Sequence, residues 1–249
     1  MRPADPEGRI VRVDALGKRY GGTWVVRDVA FTLEPGAMLG LVGANGGGKT
    51  TTLRMLAGLV RPDAGEGHVF ARDIRKPSTA LRRTIGYMSQ RLSLYPELSV
   101  AENLAFRAAV LGLRNRSDVI AWAADRYELA DVLATRFDRL SGGWARRAQF
   151  AAVMLGNPAL LLLDEPTAGL DVATRRAIWR WLGEFAAAGH IVIVSTHDLA
   201  EAGNCASVLH YAAGIAEGPM TPADLVAASG ATDLEDAVLR LAEPRGQWL

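Results

Sequence analysis

The feature that most constrains this chain is a glycine-rich octapeptide, GANGGGKT, at residues 43–50. A short all-apolar run at 37–43 precedes it, and a segment with helical apolar spacing follows it and ends at Gly58. Glycines let successive backbone N–H groups close around a phosphate, and the N-terminus of the next helix adds positive potential. With a buried strand before it and a helix after it, the pattern predicts a nucleoside triphosphate site rather than a glycine-rich turn that binds nothing.

The residue types of this loop match distinct tasks in phosphate binding. The Lys49 ammonium is expected to span the terminal phosphates, and the Thr50 hydroxyl is expected to hold Mg²⁺. Ala44 and Gly47 should serve as well as other residues, because the backbone amides make the phosphate contacts. The predicted nucleotide contacts in the loop are Gly43, Ala44, Asn45, Gly46, Gly47, Gly48, Lys49, Thr50 and Thr51.

Two carboxylates follow a second buried run, in the sequence LLLLDE at 160–165. Asp164 is at the carboxyl end of the predicted strand, and we expect it in the Mg²⁺ shell. Glu165, the next residue, is the candidate general base, a role worth roughly 10²–10⁴-fold in rate. The alternative is an Asp-Glu pair that simply ends a strand at the surface.

The remaining pattern predicts an α/β fold. Apolar strands alternate with helical segments, which indicates a parallel sheet covered by helices. Residues 91–150 differ because helical spacing dominates there. Val100, Leu104 and Ala108 share one helix face, and Ser117 resembles the N-cap of the next helix. Two short helices are predicted in the final 30 residues.

Composition limits the classes of partner. The 249 residues are 49% apolar, with 28 basic and 27 acidic side chains and a net charge of +1, so no nucleic-acid partner is expected. The single cysteine, Cys205, cannot form an internal disulfide, which fits a reducing compartment. No apolar run approaches the roughly 18 residues of a membrane span, so we expect no direct membrane insertion.

Five further motifs resemble those of the ATP-binding-cassette (ABC) family, and they follow one another along the chain in the order typical of that family. LSGGW at 140–144 resembles the family's signature motif, and DEPTAGLD at 164–171 resembles its catalytic strand and D-loop. Gln90 resembles the Q-loop glutamine, His197 the switch histidine, and Tyr20 the aromatic residue that stacks on adenine, with Trp24 as the fallback. The details look most like bacterial cassettes of ABC-2-type exporters, including multidrug-type ones.

The resemblance implies a P-loop NTPase fold, the ABC cassette, with a RecA-like core, an antiparallel β subdomain and an inserted helical subdomain. The core and β subdomain would comprise residues 8–90 and 151–218, the helical subdomain 91–150, and a C-terminal helical tail 219–249. Two cassettes would pair head to tail around two ATP molecules and drive separate integral membrane permease subunits. The cassette would then be cytoplasmic and peripheral on the inner face of the cell membrane.

The resemblance also implies roles for particular residues. Glu165, His197 and Gln90 would be catalytic. The signature residues would contact the ATP of the other cassette, and a groove after Gln90 would receive a coupling helix of the permease. The implied residues are, for Mg²⁺, Thr50, Gln90 and Asp164; for the signature, Ser141, Gly142, Gly143 and Trp144; for the D-loop, Asp171; and for the groove, Leu92, Leu94, Tyr95 and Leu98. The alternative for the groove residues, and the favoured one for Leu98, is a place in the core of the helical subdomain.

Two alternatives remain open at this point. Trp144 departs from the glutamine that is usual in the family, and it either is a subfamily trait or marks a catalytically weak, regulatory cassette. The chain could also be a soluble ABC ATPase that acts on a macromolecular complex. Neither the transported substrate nor the identity of the second cassette can be read from the sequence.

Overall fold

All six residues of the strand before the glycine-rich loop are buried, as a strand covered on both faces requires. The structure is a computed structural model that describes residues 10–76, 78–212 and 214–242. Its strands are β1 (Val11–Tyr20), β2 (Thr23–Leu33), β3 (Met38–Gly43), β4 (Ala64–Val69), β5 (Arg72–Asp73), β6 (Ile85–Met88), β7 (Leu160–Asp164), β8 (Ile191–Thr196), β9 (Ser207–Ala212) and β10 (Ile215–Met220).

The helices follow the predicted alternation with the strands. They are α1 (Lys49–Leu56), α2 (Thr79–Thr84), α3 (Val100–Val110), α4 (Arg116–Arg126), α5 (Gly142–Met154), α6 (Val172–Ala187), α7 (Leu199–Ala202), α8 (Pro222–Ser229) and α9 (Leu234–Ala242). None of the helices in the described part of the chain is long and apolar enough to cross a membrane.

The described strands form one ten-stranded sheet in the order β5-β4-β1-β2-β10-β9-β3-β8-β7-β6. Strands β9, β3, β8, β7 and β6 are parallel neighbours, whereas β1 pairs antiparallel with β2 and β4. The glycine-rich loop therefore follows a central strand, and the carboxyl ends of β3, β6, β7 and β8 meet at one edge of the sheet. This edge is where a doubly wound sheet binds its ligands.

The two faces of β3 pack into different parts of the core. Leu39 and Leu41 join the cluster that contains the apolar side of α1, whereas Met38 and Val42 join the cluster that contains α5 and α6. Alternating side chains of a strand point to opposite faces, so helices on both sides hold β3 in place. The base of the loop is thus fixed from both sides.

The segment predicted to be helical contains α3, α4 and most of α5. Val100, Leu104 and Ala108 of α3 are fully buried on one face, as the spacing indicated. The expected Ser117 cap is wrong: α4 begins at Arg116, after Asn115 in the left-handed region at φ 50°. Helix α5 continues past the predicted boundary at residue 150, because one apolar face of this helix packs on the core over its whole length.

The C-terminal segment contains α8 and α9, two short helices as predicted. Thr221 caps α8 by accepting a hydrogen bond from the Asp224 amide, and Pro222 occupies its first turn. The ends of the predicted units, residues 8–9 and 243–249, lie outside the described residues.

Candidate active site

Glycine is required at two points of the loop that connects β3 to α1. Gly43 has φ 132°, and a Cβ there would lie 2.3 Å from the Tyr211 carbonyl oxygen. Gly48 has φ 111°, and its Cβ would lie 2.7 Å from the Val25 carbonyl oxygen. Both positions combine a left-handed backbone with contact to neighbouring strands, so the loop can curl tightly only with glycine there.

Lys49 lies at the mouth of this loop with only 5% of its surface exposed. Its Nζ donates hydrogen bonds to the carbonyl oxygens of Gly43, at 2.6 Å, and Ala44, at 3.0 Å. Burial lowers the pKa of the Lys49 ammonium, and the charges of Glu165 and Asp164 oppose that shift. The ammonium is therefore partly desolvated and already held in place, which strengthens its attraction for a phosphate.

Asp164 ends β7 beside the first turn of α1. The Thr50 Oγ1 donates to its Oδ1 at 2.8 Å, and the Ser195 Oγ of the neighbouring strand donates to the same oxygen at 2.8 Å. Gln90 lines a cavity of 150 Å³ together with the loop and Glu165. Hydroxyl, carboxylate and amide oxygens are the ligands that Mg²⁺ prefers, so Thr50, Asp164 and Gln90 fit this ion.

Glu165 has an unusual backbone for a charged residue, with φ 49°. Its amide donates to the Ser195 carbonyl oxygen at 3.1 Å and to the Ser195 Oγ at 3.0 Å, which holds this strained conformation. The side chain is buried, with 6% exposed. Its Oε1 has no hydrogen-bond partner among the described residues. A buried carboxylate oxygen without a donor is suited to accept a hydrogen bond from a water molecule.

The other oxygen of this carboxylate is held by His197. Nδ1 of His197 lies 2.7 Å from Oε2 of Glu165. A carboxylate only accepts, so Nδ1 carries the proton in this contact and Nε2 is free to face a ligand. Behind the histidine, Glu201 accepts from Thr167 at 2.7 Å and from Thr196 at 3.0 Å. This buried carboxylate connects the DEPTAGLD segment to the loop that carries His197.

Both aromatic candidates for adenine stacking lie near a cation, and the Lys18 Nζ is 5.5 Å from the Tyr20 ring centre. The guanidinium of Arg19 covers the Trp24 ring at 3.9 Å, whereas the Tyr20 ring is 48% exposed. Tyr20 ends β1 and does not line the cavity of the glycine-rich loop, where Val25 is the contributing residue of β2. The exposed ring remains the candidate for stacking.

The signature segment lies at the start of α5 and does not line that cavity. Ser141 is at the N-cap position but makes no side-chain cap hydrogen bond. A Cβ on Gly142 would meet nothing within 4 Å, whereas one on Gly143 would lie 3.2 Å from the Asp171 carboxylate. The signature segment is thus accessible on one side and packed against the D-loop residue on the other.

Trp144 is half-buried, and the Arg147 guanidinium lies 5.1 Å from its ring centre. Arg147 and Arg180 both pair with Glu128, so this tryptophan belongs to a network that joins α5 to α6. Asp171 caps α6, and the hydrogen bonds from Thr174 lower the pKa of its carboxyl group.

Several residues that shape the site were not predicted from the sequence. Ser195 bonds both Asp164 and Glu165, and its register opposite Asp164 would have identified it once the order of the strands was known. Tyr211 forms one wall of the loop and donates to Thr52 at 2.8 Å. Arg146 donates to the carbonyl oxygen of Gln90 at 2.9 Å, which connects α5 to the cavity.

Comparison with known proteins agrees with this arrangement. A family model described as ABC transporter matches residues 26–168, from β2 to the segment after Glu165. The chain belongs to the ABC transporter family. The predicted family, its cassette fold and the assignment to the ATPases of that family are confirmed.

Among its relatives, this ABC cassette is 34% identical over 241 residues to the probable multidrug ABC transporter ATP-binding protein YbhF of Escherichia coli (strain K12), covering 95% of this chain and 41% of YbhF. It is 35% identical over 241 residues to the daunorubicin resistance ATP-binding protein DrrA3 of Streptomyces coeruleorubidus, covering 95% of this chain and 75% of DrrA3. The cassette therefore spans about two fifths of the length of YbhF.

Among solved structures, the ATP-binding subunit of an ABC transporter has a TM-score of 0.85 at 27% identity, with 94% of this chain and all of that one covered.

Proposed function

We propose that this cassette binds and hydrolyses ATP as the energy-supplying subunit of an ABC-2-type export transporter. The observation that carries the proposal is the arrangement of Lys49, Asp164, Glu165 and His197 around one glycine-rich loop. Relatives named for multidrug transport and daunorubicin resistance support an export role. The cassette would be peripheral on the cytoplasmic face of the membrane, bound to separately encoded integral membrane subunits.

The chemistry follows from the positions of the side chains. The loop amides and the Lys49 ammonium would hold the β- and γ-phosphates of ATP. Mg²⁺, held by Thr50, Asp164 and Gln90, would neutralise charge on the same phosphates. Glu165 would take a proton from a water at Oε1 as that water attacks the γ-phosphorus, and the bond to the β-phosphate oxygen would break to release ADP and phosphate.

His197 would keep the base in position. Its Nδ1–H donates to Oε2 of Glu165, so Oε1 stays directed at the water. The Nε2 atom on the other side of the ring would contact the γ-phosphate. Because Glu201 and Thr196 fix the loop behind His197, we expect the imidazole to move little when ATP binds.

The second half of each ATP site would come from a second cassette. Ser141 and Gly142 are exposed and head a helix, so their hydroxyl and N–H groups could reach the γ-phosphate bound by a partner, in a head-to-tail pair. Each ATP would then hold two chains together, and its hydrolysis would release them. Work would come from the difference in ATP affinity between the closed and open pairs.

The movement would reach the membrane through the groove after Gln90. Leu94 and Tyr95 line this groove, whereas Leu92 is exposed outside it and Leu98 is half-buried elsewhere in the subdomain. Of the expected lining residues, Leu94 and Tyr95 thus lie in this cavity, and the half-buried Leu98 agrees with the alternative of a core residue of the helical subdomain. Helix α5 connects Gln90, at the start of the groove segment, to the signature residues. Arg146 of this helix donates to the Gln90 carbonyl oxygen, and the signature residues are at the N-terminus of the same helix.

The test uses a Glu165→Gln variant, tagged and isolated with Mg-ATP from gently solubilised native membranes. Blocked hydrolysis should trap the closed pair, and a polytopic membrane protein should be recovered with it. A Lys49→Ala variant, which should bind ATP poorly, is the matched control for nucleotide dependence. Recovery with soluble proteins only, and absence of the cassette from membranes, would contradict the transport proposal while leaving ATP hydrolysis in place.

A further inference from the structure

The groove beyond the ATP site is a cavity of 260 Å³ between α3, α5 and the segment after β6. Two aromatic side chains at its rim are unusually exposed for their size, Tyr95 at 50% and Phe106 at 47%. Their rings meet edge to face, with centroids 5.0 Å apart. Exposed apolar side chains that cluster at a concave surface are typical of a site that another molecule covers.

The wall of this groove is already ordered. The buried Asn103 side chain accepts from the Tyr95 amide at 2.8 Å and donates to the carbonyl oxygens of Tyr95 and Ser99, both at 3.0 Å. Ser99 and Glu102 form a capping box that fixes the start of α3. A partner would therefore find a formed surface and would pay little of the ordering cost of binding.

One charge in the groove has no counterion. Arg107 lines the cavity and is half-buried, and its guanidinium makes no hydrogen bond or ion pair with any described residue. Burial lowers the pKa of its guanidinium. The lining residues in the described chain include no carboxylate, and the nearby Arg146 guanidinium is committed to the carbonyl oxygens of Ser89 and Gln90.

The floor of the groove has a second group with unused hydrogen-bonding capacity. Gln149 is 1% exposed, and its Nε2 donates to the Arg91 carbonyl oxygen at 3.1 Å and to the Ser93 Oγ at 3.3 Å. Its Oε1 has no partner in the described part of the chain. The groove thus combines an apolar rim with a cation and an acceptor inside it, and a purely apolar occupant would leave both unmatched.

We propose that the groove selects a cytoplasmic helix of the membrane subunit that presents an aspartate or glutamate to Arg107 and packs an apolar side chain against Tyr95 and Phe106. The inference rests on the proposed transport function and deepens it by stating the chemistry of the partner. A carboxylate is the one common side chain that both neutralises a guanidinium and matches its paired N–H donors. Arg107 would thereby be a determinant of which membrane subunit this cassette accepts.

The first experiment locates the occupant. A photoreactive benzoylphenylalanine at position 106 is cross-linked in native membranes, and the attached peptide is identified by mass spectrometry. We expect a cytoplasmic segment of the membrane subunit with an Asp or Glu within one helical turn of the cross-linked residue. A peptide from a second copy of this chain, or one with no carboxylate within a turn, would overturn the inference.

The second experiment tests the charge. In the Glu165→Gln background with Mg-ATP, adding Arg107→Glu should lower recovery of the membrane subunit roughly tenfold or more, because two carboxylates would then face each other in the groove. Arg107→Lys should retain most of it. Arg176→Glu, the same change at an exposed arginine of α6, is the matched control and should have no effect. Changing the partner's carboxylate to arginine should restore recovery with Arg107→Glu.

The outcomes separate the two proposals. Equal recovery with Arg107→Glu and with the parent contradicts the role of Arg107 while leaving the transport proposal intact. If the parent itself recovers no membrane protein, the transport proposal fails and the inference fails with it. Thermal melting curves that match the parent's establish that each variant folds, so a loss of recovery reports on the interface.

Discussion

Helices α1 and α5 both have glycines at their N-termini, and the two N-termini lie in different environments. Helix α1 starts beneath a loop whose Lys49 is buried and bonded to the chain itself, beside Asp164 and Glu165. Helix α5 starts at Ser141 and Gly142, which are exposed, and Ser141 makes no cap hydrogen bond. Both helix termini attract anions, but of the two only α1 has Lys49, Asp164 and Glu165 beside it.

Under the proposed head-to-tail pairing, the chain would carry two unlike halves of an ATP site. The first half is complete because strands β3, β7 and β8 are parallel neighbours whose carboxyl ends meet. The second half points outward from α5, beside the D-loop residue Asp171. A second cassette in head-to-tail orientation would supply to each half what it lacks.

The largest effect should come from Glu165→Gln. Removing the base should lower steady-state phosphate release by roughly 10²–10⁴-fold. ATP binding should persist, because Lys49 and the loop amides are unchanged, and a dimer should accumulate with Mg-ATP in size-exclusion chromatography with light scattering. Glu34→Gln, at an exposed glutamate in the turn before β3, should behave like the parent. A variant that keeps more than a tenth of the parent rate would show that Glu165 is not the base.

Gly142→Ala should impair hydrolysis without impairing the fold. The added Cβ meets nothing in its own chain, so the unfolding temperature should stay the same or rise. If the position faces the phosphate of a partner, displacement of reacting groups should cost on the order of 100-fold in rate. Gly183→Ala is the control, because it adds a methyl group at an equally open site in α6. Full activity of Gly142→Ala would show that the signature half does not work across the interface.

Trp144→Gln should have a smaller effect on the signature half. The Trp144 indole contacts the Arg147 guanidinium, and both Arg147 and Arg180 pair with Glu128. The parent protein therefore already has the contacts that join α5 to α6. We expect rates of phosphate release within about twofold of the parent, because the N–H groups at the start of α5 remain in place. A variant with clearly higher activity than the parent would support the alternative of a cassette weakened by Trp144.

The smallest predicted effect is on how the stability of the fold depends on pH, through a buried histidine in the strand next to β3. His210 of β9 is fully buried beside β3, and burial lowers the pKa of its imidazole. As pH falls below about 6.5 the unfolded chain takes up the proton first, so stability present at neutral pH is lost progressively in acid. His210→Leu should flatten the decline in unfolding temperature between pH 7.5 and 5.5. If the unfolding temperature of His210→Leu declines as steeply as that of the parent, titratable groups other than His210 cause the decline.

The strand ends were predictable from the sequence because their signals are local. Buried runs followed by GANGGGKT and by Asp-Glu placed Lys49, Thr50, Asp164 and Glu165 correctly at one edge of a parallel sheet. Ser195 was missed because its contribution depends on which strand neighbours β7. Ser117 was wrongly expected as a cap because helix α4 starts from a left-handed Asn115, which spacing does not indicate.

The residues implied by family resemblance differ from these, because their proposed partner is a second cassette. Ser141, Gly142 and Asp171 are exposed, whereas Gly143 packs against Asp171 and Trp144 is half-buried, and the role proposed for them requires a second chain. Likewise the unpaired Arg107 gave no sequence signal, since an arginine in a helix is usually solvated. The groove around Arg107 exists only in the folded structure, where α3, α5 and the segment after β6 come together.

The most direct test of the central claim joins the two halves by a cysteine pair. One tagged chain carries Asn45→Cys and another carries Ser141→Cys, both at exposed positions in the Glu165→Gln background. The native Cys205 is buried, and burial raises the pKa of its thiol to about 12, so it should stay unreactive. We predict a disulfide between the two different chains that forms with Mg-ATP and not without it. A disulfide between two Asn45→Cys chains, or none with Mg-ATP, would contradict head-to-tail pairing.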